Sequence, residues 1–283
     1  MKVSSGPRLL LVFFTLTIVC LVTAALHRLM DGPMSLWAMC CYALEMLLPD
    51  TVIRWLPLLS RTAFLGLLIL GGSILWRRLW QTHRFMSQLN MAATDLRPAR
   101  LDAFCTKSGL VLPRVVTLAT PVPLVFCYGL FRPRICLSIG LLDTLSDKEL
   151  KAVLLHEAYH CRRYDPLRSL LADLLAATLF FLPAVAEWRD MFLTSTELAA
   201  DRYAIQFAGR PSLAGAMYKL LTHPQAIRLS PAMSGVSGFS ATQPRLNQLL
   251  DDTPVAHNFS PRSLLISSLT LTLGCALLQL ALF

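Results

Sequence analysis

Charged residues are scarce in this sequence, since Asp, Glu, Lys and Arg together make up 15% of its 283 residues. A soluble domain usually carries about 25% charged residues. Apolar residues account for 55% of the chain, and the mean hydropathy is +0.55. The composition therefore argues against a wholly soluble chain and predicts an integral membrane protein with one modest polar domain.

Other features that the sequence lacks further restrict the class of protein. The eight cysteines form no Cys-x-x-Cys pair, which argues against a zinc ribbon and a dithiol redox motif. Cysteines scattered in this way suit a reducing compartment, where they act as small apolar residues. Basic residues do not interleave with aromatic ones, so we assign the net charge of +9 to cytoplasmic loops and expect no direct nucleic acid binding.

Long apolar runs predict the membrane segments. The uncharged run over 9–26 and the run over 57–76 have the length of transmembrane helices, and 263–283 predicts a C-terminal span. We interpret 9–26 as a retained helix, because no clean small-x-small cleavage site follows it. The shorter run over 35–50 is interrupted by Glu45 and Pro49, and it fits either a third span or an interfacial helix.

Charge asymmetry predicts the orientation. Residues 77–167 hold 13 Lys and Arg against seven Asp and Glu, whereas residues 28–54 hold two against three. Because basic loops favour the cytoplasmic side, we expect a cytoplasmic domain over 77–262. Two preceding spans would place the N-terminus inside as well, and a third would place it outside.

Local patterns predict an α+β domain. The stretches RVVTLAT and PLVFCYGLFRPRICLS have the β-branched and aromatic character of short strands or a hairpin. LSDKELKAVLLHEAYHCRRYD has helical periodicity, and Ser146 with Glu149 predicts a capping box. An apolar helix follows over 167–182, and AEWRDMFLTSTELAADRYAIQFA predicts another helix. The stretch over 223–244, rich in Pro, Gly and Ser, predicts a loop.

The pentapeptide HEAYH carries the chemistry. His156 and His160 share one helical face and can bind one metal ion, while Glu157 can reach a water beside it. A catalytic zinc site needs a third protein ligand and an open fourth position. TELAADRYA offers Glu197 as that ligand and Asp201 to hold a ligand histidine through its far nitrogen. The alternative is a helical surface with ordinary salt bridges.

Together these stretches resemble the M56 family of membrane metallopeptidases, which includes the protease part of bacterial β-lactam sensor-transducers, and more distantly the M48 peptidases. The resemblance implies an α-helical membrane protein with a zincin-like α+β metallopeptidase domain inserted between transmembrane helices. It implies a gluzincin in a bacterial inner membrane, with its active site facing the cytoplasm. It also implies Zn²⁺ bound by His156, His160 and Glu197, Glu157 as the base, Asp201 in support, and a protein substrate such as a transcriptional repressor.

Several alternatives stay open. Arg245 is our candidate oxyanion donor, ahead of Tyr203, His223 and His257, and the alternative for Arg245 is a solvated arginine at the start of a helix. The strand RICLS can either offer its edge to an extended substrate or pair within the domain. A zinc-fold scaffold without turnover and an M48-type quality-control protease are the rival functions. No penicillin-binding domain follows the last predicted span, so we do not expect this chain to sense β-lactams by itself.

Overall fold

The computed structural model describes residues 49–94, 98–223, 236–238, 243–250 and 259–282. The predicted span over 9–26 lies outside the described residues, as does all but the end of 35–50. The chain divides into two compact units. The first comprises 1–74, 175–190 and 256–283, and the second comprises 75–174 and 191–255. The prediction was one contiguous domain over 77–262. The second unit is instead discontinuous, because 175–190 groups with the first unit.

Helices dominate the described residues. They are α1 (Asp50–Ala92), α2 (Ala99–Ser108), α3 (Ile139–Thr144), α4 (Asp147–Arg163), α5 (Asp165–Thr178), α6 (Pro183–Ala208), α7 (Arg210–Thr222), α8 (Gln243–Leu250) and α9 (Pro261–Leu282). The strands are β1 (Ala93–Thr94), β2 (Val115–Leu118), β3 (Val125–Tyr128), β4 (Arg134–Ser138) and β5 (Val236–Gly238). The predicted strands and the predicted helices around HEAYH and TELAADRYA are confirmed.

The strands form one sheet in the order β1-β2-β4-β3-β5. β3 and β4 form an antiparallel hairpin, and β4 pairs in parallel with β2 on its other side. The strand RICLS is β4, so both of its edges are occupied. The suggestion that it offers a free edge to a substrate is wrong, because the hairpin and the return to β2 enclose it.

Local sequence explains both ends of α4. The predicted capping box is present, with Glu149 Oε2 accepting hydrogen bonds from the backbone N–H of Ser146 at 2.8 Å and from its hydroxyl at 2.7 Å. The helix ends at Tyr164, whose φ of 56° lies in the left-handed region. Pro166 then lies in the first turn of α5, where a missing backbone N–H costs nothing.

The core of the second unit joins α4 to the sheet. Val153 and Leu154 of α4 pack in one buried cluster with Ile135 and Leu137 of β4. Leu155 points elsewhere and packs in a separate cluster with residues of α6 and α7. The middle of α4 is thus buried between the sheet and two helices, and this burial places HEAYH inside the domain.

In the first unit, α1 covers the predicted span 57–76, and α9 covers most of 263–283. Large apolar side chains are exposed on both helices, among them Leu65, Leu68, Leu269 and Leu273. Across the described part of the chain, however, no helix has both the length and the apolar character required to cross a bilayer. Membrane crossing by these two helices remains a prediction.

Candidate metal centre

Two helices supply the candidate ligands. His156 and His160 lie one turn apart on α4 and are fully buried, and Glu197 lies on α6. The two Nε2 atoms are 3.0 Å apart. Glu197 Oε2 lies 3.5 Å from Nε2 of His156, and Oε1 lies 3.5 Å from Nε2 of His160. Three side chains from two helices therefore point ligand atoms at one place.

These distances fit a single metal ion. Ligand atoms about 2.0–2.2 Å from one tetrahedral zinc ion lie roughly 3.3–3.6 Å from each other. The three atoms here lie within 4.8 Å of one another, and theirs is the one such group of His, Cys, Asp or Glu among the described residues. Two imidazoles and one carboxylate are also ligand types that zinc accepts. The residues present therefore fit the metal that the sequence pattern implies.

Glu157 is the buried acid beside this group. Its side chain is 0% exposed, and neither carboxylate oxygen has a side-chain hydrogen-bond partner among the described residues. Burial and the charge of Glu197 raise the pKa of Glu157, whereas the charges of His160 and Arg245 lower it, and the net result is a pKa of about 8. A buried acid with such a perturbed pKa is typical of a functional site.

Asp201 contacts His156 at the ring nitrogen that faces away from the ligand group. Its Oδ1 lies 2.9 Å from His156 Nδ1, which leaves Nε2 directed at the ligand group. Burial alone would raise the pKa of Asp201, but the hydrogen bonds with His156 and Arg245 outweigh it and hold the pKa below its usual value. This is the geometry by which a carboxylate orients a ligating histidine.

Arg245, at the start of α8, is also 0% exposed. It donates two hydrogen bonds to Asp201, from Nε to Oδ2 and from Nη2 to Oδ1, each 2.7 Å long. Its Nη1 lies 3.2 Å from Glu197 Oε2. The guanidinium is thus committed to two carboxylates, and its service as an oxyanion donor stays a prediction. Of the other candidates, the Tyr203 hydroxyl accepts a 2.6 Å hydrogen bond from Arg162, and His257 lies outside the described residues.

Asp165 belongs to the site but was not predicted from the sequence. This residue is 1% exposed, and its Oδ2 lies 2.9 Å from Nδ1 of His160. Arg168 Nη1 donates to the other oxygen at 2.7 Å. The available signal was an acid in RRYDPL, five residues after the second histidine, where one helix ends and the next begins.

Cys161 follows His160 directly but takes no part in the ligand group. Its sulfur lies 2.8 Å from that of Cys127 on β3, and both thiols are free and buried. Burial and the neighbouring Cys161 thiol hold the pKa of Cys127 well above its usual value. This environment is that of an inert thiol rather than a competing ligand.

Comparison with known proteins now adds to the geometry. The model of the family described as BlaR1 peptidase M56 matches residues 45–249. The chain belongs to the M56 peptidase family. The family is one of metallopeptidases, and the resemblance drawn from HEAYH and TELAADRYA is confirmed.

Several curated relatives carry the name Protease HtpX homolog. The protein of Methanothermobacter thermautotrophicus is 26% identical over 163 residues, which cover 48% of this chain and 61% of the relative. That of Syntrophotalea carbinolica is 31% identical over 95 residues, covering 32% and 34%. That of a Sulfurovum species is 25% identical over 191 residues, covering 54% and 69%. The matches thus span less than two thirds of the length of the first two relatives.

Proposed function

We propose that this M56 peptidase is a zinc-dependent endopeptidase in which His156, His160 and Glu197 bind the metal. The observation that carries the proposal is the convergence of these three ligand atoms beside the buried Glu157. Asp201 accepts the Nδ1 proton of His156 and thereby leaves the Nε2 lone pair for the metal. No fourth protein side chain joins the group among the described residues, as a catalytic site requires.

Glu157 supplies the proton transfer in this proposal. When bound, zinc would polarise the peptide carbonyl and lower the pKa of a water molecule in the site. Glu157 takes the proton of the attacking water and later gives it to the leaving nitrogen.

The proposal extends to the membrane and to the substrate. Exposed leucines on α1 and α9, together with the uncharged run over 9–26, support a multi-pass protein of the bacterial inner membrane. The basic excess over 77–167 supports an active site that faces the cytoplasm. By family resemblance, the substrate is a regulatory or membrane protein, with a transcriptional repressor as one example.

Zinc content per chain is the first test. Detergent-purified wild type is expected to carry about one zinc ion, and His160→Ala and Glu197→Ala are expected to lose it. His83→Ala is the matched control, because His83 is exposed on α1 and lies outside the ligand group. A wild type without zinc, or zinc that is indifferent to both ligand changes, would contradict the site.

Glu157→Gln separates the protease from the non-proteolytic scaffold. A protease variant keeps its zinc and loses peptide hydrolysis, because an amide cannot act as a base. A scaffold keeps its cellular phenotype in the same variant. The buried carboxyl group of Glu157, which has no side-chain hydrogen-bond partner among the described residues, favours the protease, because burying such a group is costly and a binding module does not need it. Proteins that accumulate in a Glu157→Gln strain would tell one regulatory substrate from the many of a quality-control protease.

A further inference from the structure

Each ligand histidine is backed by a carboxylate, which is in turn backed by an arginine. His156 contacts Asp201, and Asp201 receives two hydrogen bonds from Arg245. His160 contacts Asp165, and Asp165 receives one from Arg168. The second of these series of contacts consists of His160, Asp165 and Arg168. The function proposed above gives no role to Asp165 or Arg168.

Asp165 is buried for a reason other than helix capping. It is the first residue of α5, where an acid commonly accepts hydrogen bonds from the free backbone amides. Among the described residues, however, its recorded hydrogen bonds are to side chains, one for each oxygen. A carboxylate at 1% exposure is costly unless it is paired, so the two side-chain contacts account for its position.

We propose that Asp165 is a positioning residue for His160. By accepting the Nδ1 proton at 2.9 Å, it fixes the tautomer in which Nε2 carries the lone pair, and it fixes the ring that points Nε2 at Glu197. The inference rests on the proposed role of His160 as a metal ligand. It adds a residue from a fourth helix, α5, to a site otherwise built on α4, α6 and α8.

The two backing arginines differ in exposure. Arg245 is 0% exposed, whereas the Arg168 side chain is 36% exposed and lies over the ring of Phe192 with 4.9 Å to its centroid. Solvent screens the charge of a partly exposed arginine and can replace its hydrogen bond. We therefore expect Asp165 to matter more to the metal than Arg168 does.

The test is zinc affinity, measured by chelator competition on the full-length protein in detergent. Asp165→Ala is expected to weaken zinc binding about 10–100-fold. Asp165→Asn should recover only part of this loss, because its neutral amide oxygen accepts the Nδ1 proton more weakly than a carboxylate does. Arg168→Gln should fall closer to wild type. Asp173→Ala, which removes a different acid from the same helix, is the control and should bind zinc as wild type does.

Two further measurements separate positioning from general stability. Thermal unfolding of each metal-free variant reports folding alone, and the visible spectrum of the cobalt-substituted protein reports ligand geometry. We expect a changed cobalt spectrum in Asp165→Asn, whose isosteric side chain preserves the fold even where Asp165→Ala does not. Unchanged zinc affinity and cobalt spectrum in a folded Asp165→Asn would overturn the inference.

The outcome also distinguishes the two proposals. If His160→Ala abolishes zinc binding while both Asp165 variants bind like wild type, the site stands and the positioning role of Asp165 is wrong. If His160→Ala binds zinc normally, the site itself is wrong and the role of Asp165 is lost with it.

Discussion

Glu157 makes the metal-free protein less stable than it would be with a neutral side chain at this position. Its pKa is raised to about 8 by burial, whereas an unfolded glutamate titrates near 4.3. Between these values the folded protein keeps a proton that the unfolded chain has released. Stability therefore falls as the pH rises through this window, by at most about 1.4 kcal/mol for each pH unit.

Replacing this residue should remove that pH dependence. In metal-free protein, Glu157→Gln is expected to unfold at a higher temperature than wild type near pH 8, and the difference should shrink towards about pH 5. Thermal unfolding across this range measures it. A difference that stays constant with pH would contradict the raised pKa. Glu187→Gln serves as the control, because Glu187 is only partly buried whereas Glu157 is fully buried.

Arg245 should be intolerant even of lysine. It bridges Asp201 and Glu197 with three nitrogen atoms, and an ammonium group cannot reproduce this planar fork. Removing one partner of a buried ion pair typically costs about 3–5 kcal/mol, so Arg245→Gln should approach that loss and Arg245→Lys should retain only part of the stability. Urea unfolding of the metal-free protein measures both. An oxyanion donor with no structural role would instead lower kcat and leave this unfolding unchanged.

Site residues that lie close together in the sequence could be predicted, whereas contacts between distant residues could not. His156, Glu157 and His160 come from one helical turn, and Glu197 and Asp201 from another, so local spacing was enough to single them out. The role of Asp165 could not be predicted in this way, because it depends on the direction that α5 takes after α4 ends. The partners of Arg245 were out of reach because 44 residues separate it from Asp201, and much of the intervening chain carries no periodic pattern.

Among the elements, the junction before α4 depends on Gly140. This residue lies in α3, and its backbone N–H donates to the carbonyl of Thr120 at 3.0 Å. A Cβ atom at this position would lie 1.9 Å from the carbonyl oxygen of Pro121. The obstacle is backbone rather than a flexible side chain, so the loop between β2 and β3 or the helix itself must shift.

Gly140→Ala is therefore expected to destabilise the protein by about 1–3 kcal/mol, the usual range for overpacking. Gly72→Ala is the matched control, because a Cβ atom there meets nothing within 4 Å and alanine favours a helix interior. Thermal unfolding of the two variants should separate them clearly. Equal stability of Gly140→Ala and wild type would show that the close approach to Pro121 is absent.

Elements with a local signal were the predictable ones. The capping box of Ser146 and Glu149 fixed the start of α4, and β-branched runs separated by Pro and Gly marked β2, β3 and β4. The order of strands carries no such signal. RICLS is a central strand because β4, after its hairpin with β3, also pairs in parallel with the earlier strand β2, and parallel pairing joins residues that are distant in sequence.

On the scale of the whole molecule, the division of the chain is discontinuous. The second unit is built from 75–174 and 191–255, and it holds every residue of the candidate metal centre. The intervening 175–190 groups with the first unit, although no change in amino-acid composition marks a boundary at 175 or 190. Continuous helices explain this, since α5 and α6 each run through a boundary without interruption.

The first unit carries the features from which we propose that the protein associates with a membrane. Exposed leucines on α1 and α9 favour insertion into the apolar bilayer, whereas the net charge of +9 would also attract the protein to an anionic lipid surface. The two modes differ in their response to salt, because ions screen surface charge and leave apolar burial intact. Alkaline carbonate also separates the two modes, because it releases proteins held only at the membrane surface and leaves inserted proteins in place.

We expect the full-length protein to stay in the membrane pellet after high salt and after alkaline carbonate, and to enter solution only with detergent. Apolar insertion requires this result, since neither wash competes with burial of leucine side chains in lipid. Release by salt alone would instead assign the attachment to the basic charge and remove the support for spans in α1 and α9. The catalytic proposal would survive that outcome, because its ligands all lie in the second unit, whereas the proposed choice of membrane substrates would not.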